Sequence, residues 1–343
     1  MSERNWNDLL EAQQAKGKFV CVGLDTDIGS PKFPASHLGS QVVQLHGGPY
    51  VAFPQMAFNC AIVSATKDVA GCYKINLAFY KGQQGKQDLK LTIAYINEVA
   101  PEIPVILDAK WGDIGNTNDG YVDELGNYYG ADAVTIHNYM GLEAMKPFLD
   151  QWNKGVIVLC RTSNPGSNEF QCAEVRLWTD NNGGLYPSRH ALLEGRVPTA
   201  DNQPYHVIHS MYQYVADRVA TEWNYNGNCA VVVGATYADV ELKSVRQIVG
   251  DMPILLPGIG AQGGDLEQTV ANGHNSQGQG MIVNSSRGII FASDGPDFAE
   301  RAAEETVKLH EGVTRALVAA SPDLETSTTQ SGLASPSGKG GLG

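Results

Sequence analysis

The sequence is short of most features that would announce a function. Its six cysteines, Cys21, Cys60, Cys72, Cys160, Cys172 and Cys229, form no CxxC pair, which leaves no basis for a zinc ribbon or a dithiol redox centre. Cys21, Cys72 and Cys160 fall in or beside apolar runs, so they read as reduced core residues and not as a disulfide framework. His137 has no His or Cys companion at metal-ligand spacing. His137 in "VTIHNYMG" reads as a structural or supporting residue, and His206 and His209 form no usable pattern. GxxxxGK[ST] does not occur, and GxGxxG occurs at 258–263 and 338–343, far from the first strand-like run, so dinucleotide and P-loop readings have no anchor near the start of the chain.

Positive charge is also scarce. Twenty-four Lys and Arg stand against 37 Asp and Glu, a net charge of −13, which argues against nucleic acid as a partner, since phosphate polymers call for basic stripes. No window reaches the roughly 18 apolar residues of a membrane span. The stretch "MSERNWNDLLEAQQAKGK" is polar and has no apolar signal segment, so the expectation is a cytoplasmic protein with no membrane association.

What is abundant is a rhythm. The 343 residues, 43% of them hydrophobic, contain eight short apolar runs: "FVCVGLD", "CYKINLAFY", "PVILDAK", "DAVTIHN", "GVIVLCRTSNPG", "CAVVVGAT", "PILLPGIGAQGG" and "GMIVNSS". Helical patterns lie between them, at 54–69, 87–99, 117–129, 239–249, 265–271 and 296–320. Strands alternating with helices imply parallel pairing with right-handed crossovers. Eight such units predict an α/β fold of the (β/α)8 TIM-barrel type, a single domain over residues 19–320 after an N-terminal helix within 1–18. Residues 164–228 are too long for a simple joint and read as an insertion after strand 5, with a helix over 205–223. Residues 321–343, rich in Ser, Thr and Gly, read as a disordered tail.

In a barrel the chemistry belongs at the C-terminal strand ends, and the polar motifs fall there. In "PVILDAKWGDIGNT", side chains alternate along the strand, so Asp108 and Lys110 share a face. A buried ion pair is costly to desolvate and an exposed one contributes only about 0–1 kcal/mol, so structure alone gives little reason for the pair. Lys74 in "YKINLAFY" either snorkels at a strand end or faces the same pocket, where it would extend the charged set. Asp113 lies beyond the strand, followed by Ile114 and Thr117, and need not share that direction. "PGIGAQGGDLEQ" and "NSSRG" follow strands 7 and 8, the joints that commonly build a phosphate site. Backbone N–H groups near Asp265 can face an anion there, with Arg287 as a planar fork. Taken alone, such glycine-rich loops are also ordinary turns. "RTSNPGS" offers hydroxyls and amides suited to a ring edge.

With these residues in place, the chain resembles the orotidine 5′-monophosphate decarboxylases. "VILDAKWGDIGNT" matches that family's D-x-K-x-x-D-I-x-x-T signature at every defined position. "GLD", "YKINLAFY", "RTSNPG", "PGIGAQGGD" and "SSRG" follow in family order over roughly 19–318. It is similar to the longer bacterial and archaeal branch; Asn138 departs from that branch, where proline is expected. The resemblance implies decarboxylation of orotidylate to UMP in pyrimidine biosynthesis with no metal and no organic cofactor. Lys110 would donate a proton to C6 within a Lys74–Asp108–Lys110–Asp113 array. It further implies that Asp25 and Lys74 contact the ribose, Ser163 the pyrimidine, and Gln262 with Arg287 the phosphate. Asp113 and Thr117 would serve the partner subunit's site, hence a homodimer with shared active sites, and Ile114 would also bind substrate. Two other readings compete: a magnesium-dependent 3-keto-L-gulonate 6-phosphate decarboxylase, which shares D-x-K-x-x-D but carries an acidic residue where this chain has Lys74, and a silent phosphate-binding barrel, which would have little use for Lys110.

Overall fold

The computed structural model of the protein describes residues 4–179, 185–187, 206–259 and 265–321. All eight expected strands are present: β1 Val20–Gly23, β2 Cys72–Asn76, β3 Val105–Trp111, β4 Ala133–Ile136, β5 Gly155–Arg161, β6 Cys229–Val233, β7 Ile254–Pro257 and β8 Met281–Ser285. They pair in parallel and close into a barrel in the order β1–β8–β7–β6–β5–β4–β3–β2. The (β/α)8 architecture is therefore as expected.

Period-two alternation sorts the strand side chains into two cores. Val20, Val22, Tyr73, Ile75, Val105, Leu107, Val134 and Ile136 point outward and pack with the surrounding helices. Cys21, Cys72, Ile106, Ala133, Ile157, Ala230, Leu255 and Ile282, one from each strand, fill the interior as an apolar layer. The helix Trp6–Gln14 packs against the N-terminal end of that layer, with Trp6 and Leu10 buried against it. Asn5 caps this helix by accepting the N–H groups of Asn7 and Asp8. The interior thus has an apolar floor, and every polar inward residue lies above it.

The expected helices recur with shifted ends at Pro54–Thr66, Gly82–Val99, Gly115–Asp123, Lys243–Val249, Leu266–Gly273 and Phe298–Ala320. A further helix, Leu142–Leu149, carries Pro147 inside it, which hides it from a search for uninterrupted helical patterns. A two-stranded hairpin, Gln41–Leu45 with Gly48–Ala52, follows β1. The helix expected over 205–223 is corrected at its start: His206–Ser210 is a strand paired with Glu174–Thr179 in a small antiparallel sheet, and Met211–Arg218 is the helix. Ser210 and Gln213 form a capping box at that junction, which sets the boundary. The Ser, Thr and Gly-rich segment from 322 onward lies outside the described residues. Among the described residues no helix is long and apolar enough to cross a membrane.

Candidate active site

Two residues beyond the apolar floor, the same inward register turns polar: Cys72 leads to Lys74, Ile106 to Asp108, Ala133 to Thr135 and Ile282 to Asn284. Lys74, Asp108, Thr135 and Asn284 are all buried and all line one cleft of about 410 Å³ at the C-terminal mouth of the barrel. Asp25, Lys110, Ser163 and Arg287 line it as well. Five of the residues expected from sequence thus converge around Asp108.

Lys74 Nζ lies 2.9 Å from Asp108 Oδ2 and 3.4 Å from Asp25 Oδ1. Lys110 Nζ donates to the other Asp108 oxygen, Oδ1, at 2.5 Å. Burial by itself pushes the Lys74 pKa down, but the Asp108 and Asp25 carboxylates outweigh it, and the ammonium is held well above the ordinary lysine value. Burial likewise opposes ionisation of Asp108. The Lys74 and Lys110 ammoniums reverse that, and its carboxyl sits below the usual carboxylate range. Lys74 has 4% of its side chain exposed and Lys110 47%. Lys74 is therefore a fixed charge beneath the site, and Lys110 is the cation that faces the cleft.

Lys110 has an unusual backbone. Its φ is 51°, a left-handed conformation that costs a non-glycine residue about 1 kcal/mol or more. The pairing of β3 with β4 shifts register between Leu107 and Trp111, so Lys110 leaves the regular ladder. Its N–H instead donates to Thr135 Oγ1 at 2.9 Å, and Thr135 Oγ1 donates to Asp108 Oδ1 at 2.8 Å. Just beyond, Gly112 allows a close approach: a Cβ there would sit 2.4 Å from His137 Nε2. The ring N–H of His137 donates to the Gly112 carbonyl at 3.0 Å, a supporting role of the kind expected for it.

The opposite wall is held by Arg161, fully buried at the end of β5. Its guanidinium donates to Ser167 Oγ and Asn168 Oδ1, each at 2.6 Å, and stacks on the Tyr237 ring at 3.7 Å. This braces the 162–171 turn that carries Ser163 into the cleft. Gly234 faces it, where a Cβ would lie 2.9 Å from that of Ser163. Arg287, exposed, opens the short helix Arg287–Ile290 after β8. Gln262 lies outside the described residues. Asp265 does not line the cleft; its carboxylate accepts the Gln268 N–H at 3.1 Å and caps its own helix, so that N–H is not free for an anion.

Asp113, Ile114 and Thr117 are not brought to this cleft by their own chain. Asp113 turns back to accept the Ile114 N–H at 2.7 Å, and Asn118 holds its backbone. Ile114 is 55% exposed. Thr135 does not stand out in the sequence, and Asn284 and Arg161 stand there only as the first residues of "NSSRG" and "RTSNPGS", with no role of their own. The signal for the first two was available: each stands two residues past an inward apolar residue, in step with Lys74 and Asp108. Among the described residues no group of three or more His, Cys, Asp or Glu side chains converges to hold a metal ion.

The family described as Orotidine 5′-phosphate decarboxylase / HUMPS matches residues 19–182. The orotidine 5′-phosphate decarboxylase of Ralstonia pickettii (strain 12J) is 42% identical over 294 residues, covering 86% of this chain and 92% of that protein. Among solved structures, Leishmania donovani OMP decarboxylase superposes with a TM-score of 0.63 at 30% identity, covering 90% of this chain and 99% of that one. The fold is also shared with the Methanocaldococcus jannaschii orotidine 5′-monophosphate decarboxylase complexed with the inhibitor BMP, at a TM-score of 0.54 and 20% identity over 86% of this chain and 97% of that one.

Proposed function

The chain belongs to the orotidine 5′-phosphate decarboxylase family and is a carboxy-lyase, and from that premise we propose that it removes CO2 from orotidine 5′-monophosphate to give UMP without a metal or an organic cofactor. The observation that carries this reading is the Asp108 carboxylate, bracketed by the Lys74 and Lys110 ammoniums at the mouth of the barrel.

Loss of CO2 from C6 of the pyrimidine leaves an electron pair with no neighbouring π system to delocalise it. Stabilisation must then come from charge already in place, which a fixed ammonium set supplies without reorganisation. Lys110, the more exposed cation, stabilises the developing carbanion and delivers the proton to C6. Lys74 and Asp25 meet the ribose, and Lys74 also keeps Asp108 ionised. Asp108 beside the substrate carboxylate sets two anions together, an unfavourable contact that is relieved as CO2 leaves. Ser163 reads the pyrimidine edge, while Gln262 and Arg287 hold the phosphate, whose binding energy can be expressed at the transition state.

In this reading the working unit is a cytoplasmic homodimer in which Asp113, Ile114 and Thr117 complete the neighbour's site. Their placement away from their own chain's cleft and the 55% exposure of Ile114 support that arrangement. Lys74 also favours orotidylate over the magnesium-dependent sugar-phosphate reaction, since an ammonium among these carboxylates occupies the place a divalent cation would need. Chelator-treated protein is expected to convert orotidylate to UMP, followed by ultraviolet absorbance. No change, with magnesium-dependent activity on a 3-keto sugar phosphate instead, would overturn the proposal.

A further inference from the structure

We infer that Thr135 is a positioning residue for the decarboxylation, its hydroxyl tying the Asp108 carboxylate to the main chain of Lys110 and so holding both functional groups of Lys110 in place. The inference rests on the decarboxylase reading of the cleft. Thr135 is 1% exposed and lies on β4, level with Asp108 through the pairing of Leu107 with Val134.

Its hydroxyl has one donor and two acceptor positions, and both functions are in use. The proton goes to Asp108 Oδ1 at 2.8 Å, and a lone pair takes the Lys110 N–H at 2.9 Å. The Lys110 side chain returns to the same Oδ1 at 2.5 Å. A closed circuit results, running from Asp108 through Thr135 to the Lys110 backbone, then along the lysine side chain back to Asp108. Because the Lys110 N–H can only donate, the sense of every bond in the circuit is set.

The circuit answers a problem that the backbone poses. A lysine at φ 51° has left the β3–β4 ladder, so its N–H needs another acceptor and its conformation needs support. The Thr135 hydroxyl supplies the acceptor. A β-branched side chain is suited to this, having few χ1 wells in which the hydroxyl could turn away. Without the hydroxyl, Lys110 loses the bond that holds its backbone, and Asp108 loses one of the three donors that orient it. A small displacement of a proton donor is expensive: about 1 Å can cost roughly 10²-fold in rate.

The test compares Thr135→Val, similar in shape but without the hydroxyl, with Thr135→Ser, which retains it. With orotidylate as substrate, Thr135→Val is expected to lower kcat by about 10²-fold while the affinity for UMP changes only a few-fold, and Thr135→Ser to recover most of kcat. Wild-type kcat in Thr135→Val, or equal loss in both variants, would overturn the inference. If the valine variant fails to fold, Thr135→Ala takes its place: the same loss of kcat is expected of it, and a wild-type rate or a loss matched by Thr135→Ser overturns the inference in the same way. An inactive wild-type protein would instead count against the decarboxylase reading, so the two failures are separable.

Discussion

Lys110 Nζ stands 2.5 Å from Asp108 Oδ1, whereas the second oxygen of that carboxylate is taken by Lys74 at 2.9 Å. Each cation therefore has its own oxygen, and loss of one leaves the other pair intact. Lys110→Ala is accordingly expected to fold with Lys74 and Asp108 still joined. Its turnover of orotidylate should fall by about 10³-fold or more if, as proposed, Lys110 is both the proton donor and the charge facing the reacting carbon. Titration with UMP should show binding retained. Unimpaired turnover would remove Lys110 from the proposed role.

The same residue carries a stability prediction of opposite sense. Within a strand, glycine is ordinarily worse than alanine. At φ 51° the order should invert, because alanine keeps the Cβ that makes the left-handed region unfavourable and glycine does not. Urea denaturation should place Lys110→Gly about 1 kcal/mol above Lys110→Ala. If alanine is the more stable of the two, Lys110 does not hold that backbone conformation in solution.

How much of this was legible beforehand can be judged at Asp108 and at Asp113. Asp108, Lys110 and Lys74 were visible because strand alternation has a period of two and places them past an apolar floor, Lys74 and Asp108 by two positions and Lys110 by four. The eight strands were visible as short apolar runs recurring between helical patterns. Thr135 obeyed the same alternation, but a threonine in an apolar strand looks like an ordinary β-former, and only the geometry reveals its two bonds. The left-handed turn at Lys110 had no signal either, since it depends on a register shift between two strands distant in sequence. The strand at His206–Ser210 pairs with the distant Glu174–Thr179, which local pattern cannot fix, whereas the hairpin at Gln41–Ala52 closes locally through the left-handed His46–Gly47 turn. Asp113 was legible only as the charge that did not fit.

Acid should act on the site through Asp108. Its folded-state pKa is depressed by Lys74 and Lys110 acting against burial, so its contribution to stability is present above the ordinary carboxylate pKa and is lost as pH falls through the folded value. Lys74, whose pKa is raised, contributes fully below the ordinary lysine value and loses that contribution only in strong base. Asp108→Asn should therefore be destabilised near neutrality, by about 3 kcal/mol as for a broken buried pair. The gap to wild type should narrow as pH drops from about 5 to 2. Denaturation curves across that range check it; a gap independent of pH would mean that Asp108 is not the ionised partner of the two lysines.

Asp113 decides whether the site belongs to one chain or two. In its own chain its carboxylate accepts the Ile114 N–H and stays off the cleft, while Asp108 lies at the centre of it. If the partner supplies Asp113, each active site of a two-fold dimer combines Asp108 of one subunit with Asp113 of the other. Asp108→Ala and Asp113→Ala homodimers would then each have two damaged sites. Mixed dimers would have one site with both losses and one with neither. Random exchange of equal amounts makes about half the dimers mixed, so about one quarter of all sites should be intact. The mixture should therefore recover roughly a quarter of wild-type activity from two nearly inactive parents. Subunit exchange verified by native mass spectrometry, with no recovery of activity, would place Asp113 outside the partner's site.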